Sequence, residues 1–169
     1  LAVGVLVLSV PLTIDRIDWP LLAATTVIGV PAILAIGLML AAVCLQTRQE
    51  SWSYPEAVGG ALFLFSGVVF PLAVLPAPVQ AIGLLTPLSW WIEGVRRSVI
   101  RDGLSGIGGA GSLYTNLTGM PSPSAAEILV GLTATVIVAV LAGVVAFRAS
   151  ERRARRRGLV GRREDRRAA

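Results

Sequence analysis

Few residues of this chain are of the types that carry out chemistry. Its 169 residues include no histidine, a single cysteine at Cys44, and no carboxylates at metal-binding spacing. A GxxxxGK[ST] phosphate loop is also absent. Within the apolar part, Glu93, Arg96 and Arg97 lie close together, and the spacing of Glu93 and Arg97 predicts an i,i+4 ion pair on a helix. The sequence therefore predicts a non-enzymatic chain with no cofactor or metal site of its own.

Three apolar runs that could cross a membrane contain no Asp, Glu or Arg. They are Leu21–Leu45, Ala57–Leu75 and Ile128–Phe147. Transporters driven by protons or sodium usually keep such a residue near the middle of the bilayer, where it carries the coupling ion. If the chain belongs to a transporter, we expect its energy to come from another part of the protein or from another subunit.

The composition indicates an integral α-helical membrane protein. Hydrophobic residues make up 54% of the chain and charged residues 15%, whereas soluble domains are about a quarter charged. The runs approach or exceed the roughly 20 residues needed to cross about 30 Å of hydrocarbon. A further apolar run, Leu1–Ile14, is interpreted as the truncated end of a span, so we expect a C-terminal fragment of a longer protein. The predicted fold is all-α, with three full or near-full spans plus the truncated N-terminal span, and residues 1–147 form the membrane domain.

The run that begins at Ala57 is broken by glycine and proline. Beyond the break, the apolar stretch Val79–Leu85 has only seven residues, which is too few to cross a bilayer. Irregular backbone at membrane depth must be covered by protein or face water. We therefore predict a re-entrant hairpin over about Leu72–Leu85 on the extracellular side. Its predicted gate residues are Gly67, Phe70, Pro71, Leu75, Pro76 and Pro87.

Thr86 and Pro87 predict the start of the next helix, as its N-cap and first helical residue. Apolar residues then recur at helical spacing, with the charged residues on the other side. This pattern predicts an amphipathic helix at the exterior membrane surface. Its predicted functional residues are Trp90, Trp91, Glu93, Arg96 and Arg97. The following stretch, Asp102–Pro123, is rich in Gly, Ser and Thr and predicts an exposed loop, and Ser124 with Glu127 forms a capping box at the start of the last helix.

Small residues recur at every fourth position in two of the apolar runs. Gly29 and Gly37 lie on such a face of the first complete run, and Gly131 and Gly143 lie on one in the last run. Small side chains let helix backbones approach closely in membranes. These four glycines are therefore predicted helix-packing positions.

The last part of the chain, residues 148–169, is a basic tail. It carries ten arginines and three acidic residues, a net charge of +7. Positive charge next to a span favours the cytoplasmic side and contact with anionic lipid headgroups over nucleic-acid binding. We expect a cytoplasmic C-terminus, disorder after residue 158, and, since every basic residue is arginine, a bacterial plasma membrane as the location.

The order of these motifs resembles the C-terminal half of ATP-binding-cassette (ABC) type-2 permeases. In that family a span ends in an SG-hydrophobic-FP-hydrophobic-LP pattern, which is followed by a short apolar segment and a PLT/S…E..R pattern. The matching residues are Ser66-Gly67, Phe70-Pro71, Leu75-Pro76, Pro87-Leu88-Ser89, Glu93 and Arg96. With the basic residues after the last span, the resemblance covers about Trp52 to Leu159.

The resemblance implies a subunit of six spans that pairs with a second permease subunit, identical or different. It also implies a separate ABC ATPase subunit, on which ATP and Mg²⁺ bind. The expected activity is export of an amphipathic substrate such as a lipophilic drug or a lipid- or glycan-type molecule. The hairpin would lie near the exit of the pathway.

Two other functions stay open on sequence grounds. One is a membrane scaffold or assembly protein whose small-residue faces hold partner proteins. The other is an intramembrane enzyme, for which these residues offer no nucleophile–base pair and no metal set.

Overall fold

The computed structural model describes residues 17–44, 53–100 and 105–156, and these ranges are helical without any strand. The elements are α1 (Trp19–Cys44), α2 (Ser53–Phe65), a 3₁₀ helix (Leu72–Val74), α3 (Ala77–Leu85), α4 (Pro87–Val99), α5 (Leu113–Thr118) and α6 (Ala125–Arg156). The all-α prediction is confirmed for this part of the chain. The predicted truncated span Leu1–Ile14 and residues 157–169 of the basic tail lie outside the described residues.

Within the described ranges, two helices, α1 and α6, are long and apolar enough to cross a membrane. They run parallel: the Ser150 hydroxyl donates to the Ala42 carbonyl 2.7 Å away at their C-terminal ends, and Ala32 packs with Leu132 and Val136 further back. Only 22% of the residues in the most apolar window of each helix are buried. Most of their apolar surface therefore faces outward, which is unlike the core helix of a soluble protein and compatible with a membrane location.

The predicted span from Ala57 to Leu75 is not one continuous helix. Helix α2 ends at Phe65 after 13 residues, a length of about 20 Å at 1.5 Å per residue. The chain then turns at Gly67, whose φ of 72° is in the left-handed region that favours glycine. The 3₁₀ helix and α3 follow, and each begins directly after a proline, Pro71 or Pro76.

Helix α4 does not lie across a surface but packs between the N-terminal halves of α1 and α6. Trp91 contacts Gly29, which lies ten residues into α1, about 15 Å from its first residue. Near the other end of α4, the Ser98 carbonyl accepts a hydrogen bond from the Asp18 amide (2.9 Å) just before α1 begins. Thus α4 runs antiparallel to α1.

The predicted exposed loop Asp102–Pro123 is wrong for its central part. Ile107 and Tyr114 are 2% and 6% exposed and pack against Leu72 of the 3₁₀ helix. Ser112 caps α5 by accepting a hydrogen bond from the Thr115 amide (3.0 Å). Its Gly- and Ser-rich composition is typical of exposed loops, but here the small residues allow the backbone to fold against its neighbours.

The helix starts that the sequence predicted are confirmed. The Ser124 amide donates to a Glu127 carboxylate oxygen (2.6 Å) and the Glu127 amide to the Ser124 hydroxyl (3.3 Å), as a capping box requires. Thr86 and Pro87 occupy the predicted N-cap and first positions of α4. The Thr86 hydroxyl, however, donates to the Ile82 carbonyl (2.9 Å) and caps nothing.

Candidate functional site

The candidate site is centred on Glu93, a carboxylate 4% exposed on α4. It accepts hydrogen bonds from the Gly106 amide (2.7 Å) and the Ser105 hydroxyl (2.6 Å), which both belong to the segment before α5. Arg96 completes the set with an ion pair of 3.2 Å. A buried carboxylate is stable only when it is paired and hydrogen-bonded, and Glu93 meets both conditions.

Arg96 extends the site to the turn after α2. Its second guanidinium nitrogen donates to the Gly67 carbonyl (3.1 Å). A backbone hydrogen bond joins the same two regions directly, because the Leu72 amide donates to the Gly106 carbonyl (2.7 Å). Glu93 and Arg96 therefore connect α4 to two separate non-helical segments, residues 66–71 and 105–108. We call these residues and segments the Glu93 cluster.

Gly106 is a glycine because the cluster leaves no room for a side chain. A Cβ atom at this position would overlap the Arg96 guanidinium and approach the Glu93 carboxylate to 3.2 Å. Gly94 has the same restriction where α4 meets α1, because an added Cβ would overlap the methyl group of Thr25. Close approach at both glycines thus fixes the position of α4.

The predicted ion pair between Glu93 and Arg97 is wrong. Arg97 instead donates to the Pro123 carbonyl, at the connection before α6. The amphipathic pattern placed the charged residues of α4 opposite its apolar side, facing water, and for Glu93 this is wrong because Glu93 is buried. The buried side of α4 is formed instead by small and polar residues. Its members are Ser89, Glu93, Gly94 and Ser98, together with Pro87.

The two tryptophans of α4 contact the predicted packing glycines. Trp90 lies on Gly131 of α6 and Trp91 on Gly29 of α1, and a Cβ at either glycine would come within 2.7 Å of an indole ring. The Trp90 ring nitrogen donates to the Leu84 carbonyl (2.8 Å). These two glycines thus allow helices of the same chain to pack closely, and α4 covers the small-residue faces of α1 and α6 at these positions.

The remaining packing glycines differ from each other. Gly143 contacts α1 closely, because an added Cβ would lie 3.0 Å from the Ala35 carbonyl oxygen. Gly37 is exposed and has nothing within 4 Å of such a Cβ. The regular spacing in α1 therefore does not correspond to a single contact surface.

Gln80 of α3 is a buried polar residue that no sequence pattern predicted to be important. Its amide nitrogen donates to the Leu75 carbonyl (2.7 Å), and its amide oxygen accepts from the Leu113 backbone N–H. It thereby joins the start of α3 to α5. Nearby, Trp90 and Tyr114 meet edge to face with ring centroids 6.2 Å apart, and burial raises the pKa of the Tyr114 hydroxyl above its ordinary value.

The predicted gate residues are not all in one place. Gly67 and Pro87 are buried and Leu75 is half-buried, whereas Phe70, Pro71 and Pro76 are exposed. Gly67, Phe70 and Pro71 lie in the turn segment of the Glu93 cluster, and of these Gly67 is the one whose carbonyl accepts a hydrogen bond from Arg96. Among the described residues no group of three or more His, Cys, Asp or Glu side chains could hold a metal ion.

Comparisons with known proteins identify no relative of this chain. No protein-family model, no curated protein and no solved structure matches the chain.

Proposed function

We propose that this chain is the C-terminal part of the membrane-spanning subunit of an ATP-driven ABC exporter. It would lie in the bacterial plasma membrane with its C-terminus in the cytoplasm. The subunit forms part of the pathway for a lipophilic drug or a lipid- or glycan-type substrate. ATP and Mg²⁺ bind to a separate ATPase subunit, and a second permease subunit completes the pathway.

The observation that supports this proposal is the contact between motif residues that lie far apart in the chain. Arg96, of the E..R pattern, donates to the carbonyl of Gly67, of the SG pattern, 29 positions earlier. Ser89, of the PLS pattern, donates to the Phe65 carbonyl (3.2 Å), at the end of the helix that precedes SG. A chance match of short patterns would give these residues no reason to meet. Their contact favours treating the motifs as one functional unit.

The packing of α3 and α4 suggests how this unit works. The two helices meet at Thr86, and α4 lies deep between two helices that could each cross a membrane. In the proposed orientation, this pair forms a re-entrant hairpin that opens to the exterior. The exposed residues Phe70, Pro71 and Pro76 then border the exit of the pathway.

The test is biochemical. The full-length subunit should co-purify with an ABC ATPase, and substrate should stimulate ATP hydrolysis by the complex in proteoliposomes. The matched control is an ATPase variant in which the catalytic carboxylate is replaced by an amide. This variant should abolish export. Export that continues without any ATPase would refute the proposal.

The scaffold alternative cannot be tested by enlarging Gly131 and Gly143. Those two glycines contact Trp90 and α1 within the chain, so enlarging them would disturb the fold itself. Gly37 is the packing glycine with open space beside it. A scaffold that holds partners on this face should lose them in Gly37→Leu, whereas an exporter complex assembled elsewhere should keep its ATPase.

A further inference from the structure

A cavity of about 430 Å³ lies between α1, α2 and α6, at the end of the molecule opposite the Glu93 cluster. Its walls are almost entirely apolar and include Met39, Val43, Val58, Leu62 and Ala146. Arg153 of α6 is the charged residue that lines it. The volume is within the range of sites that hold small molecules, roughly 300–1,000 Å³.

The cavity lies across the boundary between the apolar and basic parts of α6. Ala146 belongs to the apolar run that ends at Phe147, and Arg153 is two turns further along the same helix face. In a bilayer this boundary is where hydrocarbon gives way to headgroups. The cavity thus has an apolar interior at the depth of the lipid acyl chains and the Arg153 cation at the depth of the lipid phosphates.

The wall between α1 and α6 is closed at this level by the hydrogen bond from Ser150 to the Ala42 carbonyl. The buried Ser150 hydroxyl is therefore occupied, and the wall offers little hydrogen bonding to a polar ligand. Arg152 and Arg153 are both exposed, but of these two only Arg153 lines the cavity. Glu151, between Ser150 and Arg152, adds one negative charge to a segment that is otherwise strongly positive.

This geometry points to a binding site for an anionic phospholipid, with an acyl chain in the cavity and the phosphate beside Arg153. Apolar walls exclude a soluble anion, and a single arginine at the rim selects a negative headgroup over a zwitterionic one. The inference rests on the membrane location within the proposed function and does not require transport. The lipid is a resident one, held by this end of α6.

The test is lipid binding to the full-length protein in neutral detergent, measured by native mass spectrometry with phosphatidylglycerol and phosphatidylcholine. The wild type should bind phosphatidylglycerol more tightly. Arg153→Gln should weaken that binding about five-fold, because one arginine near an anionic surface is worth about that factor. Arg152→Gln removes the same charge one position away and should retain the preference.

The cavity itself is tested with Ala146→Phe, which fills it and should reduce binding of both lipids. Ala142→Phe, at an exposed position of α6 outside the cavity lining, is the matched control and should bind as the wild type does. Equal effects of the two arginine variants would overturn the inference in favour of general attraction by the tail. Unchanged binding to a folded Ala146→Phe protein would also overturn it, since another occupant, such as a transported substrate or another helix, would then fill the cavity. If the full-length protein binds phosphatidylglycerol as expected but substrate does not stimulate ATP hydrolysis by an associated ATPase, the proposed function is refuted and the lipid site is not.

Discussion

Replacing Glu93 tests whether the Glu93 cluster holds the non-helical segments in place. Glu93→Gln keeps the size of the side chain and removes its charge. An amide oxygen can still accept from the Gly106 N–H. The Ser105 oxygen already accepts from the Ile107 and Gly108 amides (3.3 and 2.9 Å), so it can accept from the glutamine amide nitrogen only by giving up the weaker of these bonds. The main loss is therefore the charge contribution to the bonds with Gly106 and Arg96.

The expected cost follows from these contacts. A hydrogen bond to a charged group contributes about 1.5–3 kcal/mol, against about 0.5–1.5 for a neutral one. Over two bonds, Glu93→Gln should cost about 2 kcal/mol. Arg96 keeps some solvent contact, with 25% of its side chain exposed, which holds the cost near this value. Glu93→Ala leaves the Gly106 amide unpaired as well and should cost about 3–5 kcal/mol.

The assay is thermal unfolding in detergent, combined with hydrogen exchange read by mass spectrometry. For a protein of this size each kcal/mol lowers Tm by about 2–4 °C, so Glu93→Gln should lower it by about 4–8 °C. Amide exchange should rise in residues 105–108 and 66–72. Glu56→Gln, at an exposed position of α2, is the control and should change stability by less than about 0.5 kcal/mol.

Two results would refute this account of Glu93. One is a Glu93→Ala protein as stable as the Glu56→Gln control. The other concerns the double variant Glu93→Gln with Arg96→Gln, which should be less destabilised than the sum of its single variants, because removing both charges leaves neither one unpaired. Strict additivity would show that the ion pair carries no coupling.

Three further predictions concern other contacts. Gly29→Ala should lower stability by about 1–3 kcal/mol because its methyl group would overlap an indole ring, whereas Gly37→Ala, in open space, should not; thermal unfolding and tryptophan fluorescence check both. Gln80→Leu should cost about 1–3 kcal/mol, because it removes the side-chain partner of the partly buried Leu75 carbonyl and Leu113 amide; the same unfolding assay measures this, and an unchanged Tm would contradict it. Replacing both Pro71 and Pro76 by alanine should reduce export while membrane insertion and ATPase association persist; unchanged transport in proteoliposomes would remove these prolines from the mechanism.

The features that the sequence predicts well are the local ones. Long apolar runs predict α1 and α6 because a helix in lipid satisfies its own backbone hydrogen bonds. The capping box at Ser124 and the Thr86-Pro87 start depend on residues within one turn of each other. The break in the run from Ala57 is also local, since Gly67 supplies the left-handed turn there.

The features that it misses depend on contacts between distant segments. Helical spacing places Glu93 and Arg97 within reach of each other, but Arg97 donates a hydrogen bond to the Pro123 carbonyl instead. The burial of Glu93 depends on residues 105–108 folding over it, and their composition is typical of an exposed loop. Likewise, spacing alone cannot distinguish Gly29, which contacts Trp91, from Gly37, where an added Cβ would have open space.

The Glu93 cluster limits how the broken segment can move. Prolines and a left-handed glycine suggest a flexible hinge between α2 and α3, but the carbonyl of that glycine is bonded to Arg96 and the neighbouring Leu72 amide to Gly106. Moving the turn away from α4 would break charge-assisted bonds at a buried carboxylate, at a cost of several kcal/mol. The contacts of α4 with the two long helices and the residues just before them are of two kinds: indole rings on glycines, which are non-directional, and two hydrogen bonds, from the Asp18 amide to the Ser98 carbonyl and from Arg97 to the Pro123 carbonyl. If the chain forms part of an export pathway as proposed, the turn, α3 and α4 should move together as one body, with Pro71 and Pro76 fixing its shape, and movement against the two long helices would break these two hydrogen bonds.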